Sequence, residues 1–262
     1  NKLRTTDDLP EVIYAREYDA AISPNGNIPV HAFNLISPTF FANSSTGNKY
    51  SLWVNVYGVS ERYLNVYGEK DLRAQMNQFF HRTYTHPVDG TTLDMKMLCN
   101  WYWYDETAIL ETGKGTKDWN FYRYAETLLS AAEAIAQSSG VNAEAAGYLA
   151  QVKARANMEG KTVAAITADL QKLGKQAFIE ECWTERLREF PLEMKIWDDC
   201  VRTGKFPQIS ATNKGEVQFV DLIGAKNGSG ATFKATDLYW PIPVNEIQRN
   251  PNLTQNEGYS AK

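Results

Sequence analysis

The sequence predicts a mainly α-helical fold that contains helix pairs, long loops and a few short β-strands. Apolar residues recur at the spacing of one helical face in residues 121–135 and again in residues 145–156. Only residues 138–141 separate the two stretches, so we expect the two helices to pack antiparallel. Residues 1–60 and the C-terminal tail are instead rich in Asn, Gly, Pro and Ser, which favour turns and loops.

Composition excludes several classes of protein. The chain has 262 residues, of which 43% are hydrophobic and 22% charged, as expected for a folded globular protein. Its net charge of −4 gives no broad attraction for phosphate, so we do not expect nucleic acid as a main ligand. No apolar run approaches the roughly 20 residues that cross a bilayer. The three cysteines are too few for a disulfide framework and lack the C-x-x-C spacing of a zinc site, so no metal or cofactor is expected.

Residues 1–117 are predicted to form a loop-rich region. Short strands are expected at residues 11–15 and 30–36, where β-leaning apolar residues cluster, and turn-forming residues fill 23–27.

Further along this region the sequence predicts two helical stretches and one strand. Ser60 is the expected N-cap of a short helix over residues 60–67, and residues 70–80 continue in helical character. In residues 92–104 large apolar side chains recur near period two, which indicates an extended strand.

Residues 118–204 are predicted to be the helical segment. Asn120 is the expected N-cap of the first helix, Gly140 ends it, and Asn142 caps the second helix. Three more helices are expected at residues 167–173, 176–190 and 192–202. Gly174 is expected to stop the first of these three.

Residues 205–262 are predicted to form a hairpin and an extended tail. Two strands, 217–223 and 231–235, flank the turn-forming residues 227–230. The Pro- and Asn-rich residues 241–259 are expected to run over the surface in extended form.

Carboxylates in the helix over 176–190 are the candidates for catalysis. Two such groups can act as acid and base on a glycosidic bond, and Glu185 and Glu189 are the ones that would do so here. Glu185 and Arg188, however, lie at the i, i+3 spacing of an ordinary helix ion pair, which favours a structural charged face. The adjacent Asp198 and Asp199 point about 100° apart on a helix and do not suit one metal ion. The chain also lacks the H-E-x-x-H, G-x-S-x-G and phosphate-loop motifs, so no enzymatic constellation stands out.

Aromatic residues are the candidates for binding. The chain has 7 Trp, 14 Tyr and 11 Phe, and the densest group is the run 101–104, Trp-Tyr-Trp-Tyr. Trp53 with Tyr50 and Tyr57 forms a second group. A flat ring with a polar edge suits a sugar, whose C–H faces are apolar and whose rim carries hydroxyl groups. The alternative is that these rings simply pack the core.

Six segments, in order along the chain, resemble motifs of the SusD/RagB family. One is residues 122–134, YRYAETLLSAAEA, which is similar to the family's "LLRYAEVLLxxAEA" helix. The most specific is the run 240–259, which closely matches the family's C-terminal "PIPxxEIxxNPNLxQNxGY". The others lie at residues 11–14, 71–73, 152–156 and 185–204.

The resemblance implies a fold, a place in the cell and a partner. Family members are surface lipoproteins of Bacteroidetes that act in polysaccharide utilisation, and they lie over a SusC-like TonB-dependent transporter in the outer membrane. They are about twice this length, so we expect this chain to be the C-terminal half. The other half would carry the signal peptide, the lipidated cysteine that is its only membrane attachment, and the first tetratricopeptide-like helix pairs. The helix pair over 121–156 has the length of one such unit.

The function implied by the resemblance is binding of a glycan without catalysis and its delivery to the transporter. In this family the ligand site lies in loops outside the helical layer, and residues 18–27 are the counterpart of one of them. Starch-binding members carry a Trp there; residues 23–27 have none, so the glycan stays open. The expected ligand-binding residues are Tyr18, Asn25, Asn27, Tyr50, Trp53, Trp101 and Trp103. The alternatives are a helical-repeat scaffold that contacts only the transporter, and a glycoside hydrolase that uses Glu185 or Glu189.

Overall fold

A computed structural model describes residues 9–19, 21–22, 59–87, 89–106 and 115–260 of the chain. The strand predicted at residues 30–36 lies outside these residues. The chain divides into two compact units, and each is described by itself. The larger unit comprises residues 1–195 and 209–217, and the smaller unit comprises residues 196–208 and 218–262.

Four α-helices form the core of the larger unit: α1 (Tyr124–Ser139), α2 (Ala143–Ala156), α3 (Val163–Leu170) and α4 (Lys175–Glu189). Gly140 ends α1 with φ of 82°, a conformation that favours glycine. The side chain of Asn142 accepts a hydrogen bond from the N–H of Ala145 and so caps α2 as predicted. Small and apolar residues on the facing sides fill the core, among them the fully buried Leu129, Ala132, Ala146, Leu149 and Phe178. The mainly α-helical fold is therefore confirmed.

The predicted start of α1 is wrong, because a strand precedes the helix. Residues Trp119–Arg123 form β4, which pairs antiparallel with β1 (Val12–Arg16), and Asn120 lies opposite Ala15 rather than at a helix N-cap. The helix begins at Tyr124. Phe121, assigned by periodicity to the helix core, belongs to the strand and is exposed. Pairing with a strand about 100 residues away overrides the local helical preference.

The predicted helical stretch over 70–80 is wrong, because turns occupy most of it. Only Leu72–Ala74 forms a 3₁₀ turn, capped by the Asp71 side chain, and β2 (Phe80–Thr85) follows. The predicted strand over 92–104 is confirmed as β3 (Thr92–Asn100), antiparallel to β2, and it leads into a 3₁₀ turn at Trp101–Trp103. The predicted helix over 60–67 is a 3₁₀ helix, Glu61–Val66.

The later helix boundaries also differ from the predicted ones. The helix α3 begins four residues early because the Thr162 hydroxyl accepts a hydrogen bond from the N–H of Ala165. Gly174 does not stop it: with φ of −65° it is the N-cap of α4.

The smaller unit contains α5 (Ile196–Thr203), β5 (Lys205–Ile209), β6 (Val217–Asp221), a 3₁₀ turn at Ala235–Leu238 and α6 (Val244–Arg249). The predicted hairpin is wrong in its strands, because β6 pairs with β5. The turn predicted over 227–230 is present: the N–H of Asn227 donates to the carbonyl of Ala231, and Lys226 and Thr232 form an isolated bridge. The tail, predicted to be extended throughout, contains the short helix α6. Within the described residues, every helix is too short or too polar to cross a membrane.

Candidate functional site

Aromatic residues on or directly after the strands β2, β3 and β4 form two groups of ring contacts, which together we call the aromatic cluster: Tyr84, Trp101 and Tyr104 in one group, and Trp103 and Trp119 in the other. The 3₁₀ turn at Trp101–Trp103 follows β3 directly and places successive rings on different sides of the chain. Trp119 opens β4 and supplies a ring from a distant part of the sequence. Two of the predicted ligand-binding residues, Trp101 and Trp103, belong to this cluster.

Trp101 lies at the outer side of the cluster. Its half-buried indole stacks on the ring of Tyr104, with the ring centroids 4.3 Å apart and the planes 9° from parallel. The hydroxyl oxygens of Tyr84 and Tyr104 lie 2.8 Å apart, within hydrogen-bond distance. Burial raises the pKa of Tyr84 to about 12, so this hydroxyl stays neutral at physiological pH. Both tyrosines are only 3% exposed and their hydroxyls are bonded to each other, so the half-buried Trp101 ring is the part of this group that offers a flat apolar surface to a sugar.

Trp103 lies at the inner side of the cluster. Only 5% of its surface is exposed, and its ring stacks on Trp119 at a centroid distance of 4.9 Å. Its indole N–H donates to the carbonyl of Leu192 at 3.2 Å. The buried amine of Lys117 lies 5.9 Å from the same ring. These contacts hold the cluster against the helical core and leave Trp103 little surface for a ligand.

Tyr18 lies beside the same strands. Its backbone N–H donates to the Asp118 carboxylate at 2.9 Å, and Asp118 directly precedes Trp119 of the cluster. The guanidinium of Arg16 lies 5.1 Å from the centre of the half-buried Tyr18 ring. The other predicted residues, Asn25, Asn27, Tyr50 and Trp53, lie outside the described residues.

The candidate catalytic carboxylates lie elsewhere, inside a buried ion-pair network. Glu185 is fully buried and Glu189 is 4% exposed. The guanidinium of Arg73 contacts both, at 2.9 Å each. Burial alone would raise the pKa of Glu185, but the charges of Arg73, Lys153 and Arg188 outweigh burial and lower it to about 2.

Glu189 is the centre of this network. Its carboxylate also accepts hydrogen bonds from Arg123 at 3.1 Å and from Arg155 at 2.8 Å. Arg123 in turn donates two hydrogen bonds to Glu193 and one to Glu11. Burial would raise the pKa of Glu189, yet Arg123, Arg73 and Arg155 together lower it. Both carboxylates are therefore ionised at neutral pH, and each pairs with several cationic side chains.

The ion-pair network explains why five separate segments carry family-like motifs. Glu11, Asp71 with Arg73, Arg123, Arg155, and the run from Glu185 to Glu193 come from distant parts of the sequence, and each supplies a charge to it. Each of these five segments thus supplies at least one charged side chain that pairs with a charged side chain of another segment. The i, i+3 pair of Glu185 and Arg188 is present at 3.3 Å, as the sequence indicated. It is buried, however, and not a solvated helix face.

Two clefts flank the network. A cleft of about 690 Å³ lies beside Asp71, Lys153 and Glu181, and a second of about 500 Å³ lies beside Leu72, Phe79 and Arg155. In the described residues no group of three or more His, Cys, Asp or Glu side chains is arranged to hold a metal ion.

Sequence reasoning missed part of the cluster. The sequence does not point to Trp119 and Lys117, because the chain separates them from the run 101–104; only the tertiary fold stacks Trp119 on Trp103 and places the amine of Lys117 near the same ring. The run Lys117-Asp118-Trp119, directly before the helix predicted from Asn120, is the sequence feature that could have indicated these two residues. Nothing in the sequence separated the half-buried Trp101 from the buried Trp103.

Comparison with known proteins places the chain in a family. The model of the SusD family matches residues 42–259. The starch-binding protein SusD of Bacteroides thetaiotaomicron is 36% identical over 138 residues, which cover 53% of this chain and 21% of that protein. A SusD superfamily structure from Parabacteroides distasonis is 28% identical, with a TM-score of 0.76, over 95% of this chain and 50% of that one.

Surface glycan-binding protein A from Bacteroides thetaiotaomicron, solved in complex with laminarihexaose, shares the fold at 19% identity. Its TM-score is 0.60, over 94% of this chain and 52% of that one. The chain thus spans about half the length of these solved relatives. Because the family model covers most of the chain and the solved relatives share its architecture, the chain belongs to the SusD family.

Proposed function

We propose that this chain binds a glycan without cleaving it. The observation that carries the proposal is the match to the SusD family over residues 42–259. One relative is a starch-binding protein, and another that shares the fold was solved with laminarihexaose bound. Starch and laminarin are therefore the first glycans to test.

The aromatic cluster supports this proposal. Its outer ring, Trp101, is half-buried and held parallel to Tyr104, so it is fixed in orientation before a ligand arrives. A ring fixed in this way loses little conformational entropy when a sugar stacks on it. Tyr18 lies next to Asp118 and Arg16, whose polar groups suit the hydroxyls of a sugar. We propose Trp101 and Tyr18 as ligand-contacting residues, whereas Trp103 is packed on Trp119 and has a structural role.

The ion-pair network supports the absence of catalysis. A glycosidase of the usual type needs one carboxyl group that keeps its proton near neutral pH, and a path for the sugar between two carboxyl groups. Glu185 and Glu189 have the opposite properties, since both have a lowered pKa and both are buried among arginines. Their role in this proposal is to fix the fold.

We also propose, from family membership, that the whole protein is lipid-anchored at the outer membrane and delivers oligosaccharide to a SusC-like TonB-dependent transporter. Co-purification with a tagged transporter from outer-membrane extracts tests this part. Co-purification together with no affinity for any sugar would favour the scaffold alternative.

Affinity electrophoresis in native gels that contain amylopectin or laminarin tests glycan binding. We expect retardation in at least one gel, and we expect Trp101→Ala to weaken it by about threefold to tenfold, the value of one aromatic contact. Tyr148→Ala is the matched control, because Tyr148 is a half-buried ring on α2 within the helical core, hydrogen-bonded to Glu144. No retardation in either gel, or release of reducing sugar, would contradict the proposal.

A further inference from the structure

An exposed carboxylate lies at the Trp101 side of the aromatic cluster and takes no part in the ion-pair network. Glu106 lies two residues after Tyr104, and it is exposed. In the part of the chain that the structure describes, its carboxylate forms no ion pair and accepts one hydrogen bond, from the hydroxyl of Tyr104 at 3.2 Å. The charge of Glu106 therefore faces water without a cationic side chain to neutralise it.

One side chain, Tyr104, connects this carboxylate with the proposed stacking ring. The ring of Tyr104 packs on the indole of Trp101, and the Tyr104 hydroxyl donates to Glu106. Because a hydroxyl has a single hydrogen, the bond between the two tyrosines is then donated by Tyr84. The hydrogen bonds run from Tyr84 to Tyr104 to Glu106, and they hold the carboxylate one tyrosine away from Trp101.

The backbone beside Glu106 is also held in place. The carboxylate of Asp105 accepts a hydrogen bond from the N–H of Thr116 at 3.1 Å, which ties the chain next to Glu106 to the residues before β4. On the other side Tyr104 is buried. An acceptor that is held in this way before a ligand arrives loses little conformational entropy on binding.

Carboxylates act on the two tyrosine hydroxyls of this group. Burial is the main cause that raises the pKa of Tyr84 and of Tyr104, and the charge of Glu106 raises the pKa of each further. The charge of Asp89 also raises the pKa of Tyr84. The surroundings of these hydroxyls therefore have a negative potential.

The cations described at the cluster lie beside other rings. The amine of Lys117 lies 5.9 Å from the Trp103 ring, and the guanidinium of Arg16 lies 5.1 Å from the Tyr18 ring. Neither of them forms an ion pair with Glu106 in the described residues, so the negative charge beside Trp101 is not cancelled.

We propose that Glu106 is a specificity-determining residue of the glycan site and selects neutral glycans over acidic ones. The hydroxyls of a neutral sugar stacked on Trp101 donate to the carboxylate, and a hydrogen bond to an ionised acceptor is about twice as strong as a neutral one. A uronic acid brings a second negative charge to the same place and is repelled. This inference rests on the proposed function and deepens it, because it names the class of glycan.

Titration calorimetry with matched forms of one glucan tests this selectivity. The forms are laminarin, its acidic carboxymethyl derivative, and its hydroxyethyl derivative, which adds similar bulk without charge; the amylose series is used if the chain binds starch instead. At low salt we expect the unaltered chain to bind the carboxymethyl form about threefold to tenfold more weakly than the hydroxyethyl form. In about 1 M NaCl, where the screening length is about 3 Å, this difference should largely disappear.

Glu106→Gln removes the charge and keeps an oxygen that can accept from Tyr104. It should bring the affinities for the two derivatives within about twofold of each other and weaken binding of the unmodified glucan by about threefold. Glu106→Asp keeps the charge and should keep the preference. Glu144→Gln is the matched control, because Glu144 is also exposed and accepts from a tyrosine, Tyr148 at 3.0 Å, but lies on α2. It changes the net charge equally and should leave the preference unaltered.

The outcomes separate this inference from the proposed function. If the unaltered chain binds the carboxymethyl form as tightly as the hydroxyethyl form, the selectivity is wrong and glycan binding stands. Equal loss of the preference in Glu106→Gln and Glu144→Gln would assign it to net charge and overturn the inference, and so would a Glu106→Gln chain with unchanged affinities. If the unaltered chain binds neither laminarin nor amylose, both proposals fail for these glycans. Melting curves check that every variant is folded, and a substitution at the exposed Glu106 should alter them little.

Discussion

Replacing Glu189 by Gln tests whether the ion-pair network holds the fold or serves catalysis. The carboxylate of Glu189 accepts hydrogen bonds from Arg73, Arg123 and Arg155 at 2.8–3.1 Å. Arg73 is 6% exposed and Arg123 is 1% exposed. Glu189→Gln keeps the shape of the side chain but removes its charge, so the buried guanidinium groups of Arg73 and Arg123 lose a shared counter-ion; Arg155 is partly exposed to water.

The expected cost follows from this burial. Removing one partner of a buried ion pair costs about 3–5 kcal/mol. Gln keeps one oxygen that accepts a hydrogen bond, so we expect the lower end, about 3 kcal/mol of the free energy of unfolding. For a unit of this size each kcal/mol lowers the Tm by about 2–4 °C, so the Tm should fall by roughly 6–12 °C.

Thermal unfolding followed by circular dichroism measures this change. Glu61→Gln is the matched control, because Glu61 also pairs with an arginine, Arg82, but both side chains are about half exposed, at 58% and 42%. An exposed pair contributes about 1 kcal/mol or less, so the control Tm should move by less than about 4 °C. A Tm for Glu189→Gln within 2 °C of the unaltered chain, as an order-of-magnitude limit, would refute the structural role. Loss of a hydrolytic activity without a change in Tm would favour catalysis.

Three further predictions concern pH, backbone and thiols. The pKa of Glu185 is lowered from 4.5 to about 2, so its ionised carboxylate makes its full contribution to the free energy of unfolding above pH 4.5. Urea titrations should show that roughly 3 kcal/mol of this stability is lost as the pH falls towards 2. Gly258→Ala should destabilise the tail by about 1–3 kcal/mol, because the added Cβ would lie 2.1 Å from the Cγ2 of Thr236. This should be seen as faster amide exchange at residues 236–242, whereas Gly228→Ala, with open space around it, should have no such effect. Burial raises the pKa of Cys200 to about 11 and also raises that of Cys182, so Ellman's reagent should label the thiols of the unfolded chain but not those of the folded one. Rapid labelling of the native chain, a flat pH titration, or equal exchange in the two glycine variants would contradict the respective prediction.

The helix pair was predictable because its determinants are local. The apolar stripe of α2, the amide cap at Asn142 and the glycine after α1 all act within a few residues of where they stand. The start of α1 was not predictable in this way. Arg123 and the residues before it form a strand because β1 lies alongside, and that partner is more than 100 residues away in sequence.

The buried charges show the same limit. The sequence indicated the pair of Glu185 and Arg188, which are three residues apart, and this pair exists. Nothing in the sequence indicated that Arg73, which lies 116 residues from Glu189, would donate a hydrogen bond to the Glu189 carboxylate. Charged residues are usually exposed, so composition and periodicity alone favour a solvated face. The resemblance located the correct segments, but only the structure shows that their charges meet.

The types of side chain at the candidate site were predictable from the sequence, but the exposure of each side chain to solvent was not. The adjacent rings of the run 101–104 predict a site there, and in the structure Trp101 packs on Tyr104 while Trp103 packs on Trp119. Which ring faces water depends on Trp119 and Leu192, whose positions follow from the tertiary fold. To predict which aromatic residues are exposed, one would therefore have to know how β4 and the residues after α4 pack.

Equilibrium dialysis of labelled maltohexaose and laminarihexaose against the chain, followed by chromatography of the recovered sugar, tests most directly whether the chain binds glycan without cleaving it. The account predicts that at least one hexasaccharide accumulates on the protein side and is recovered at its original length. Shortened sugars, or equal concentrations of both hexasaccharides on the two sides of the membrane, would contradict it.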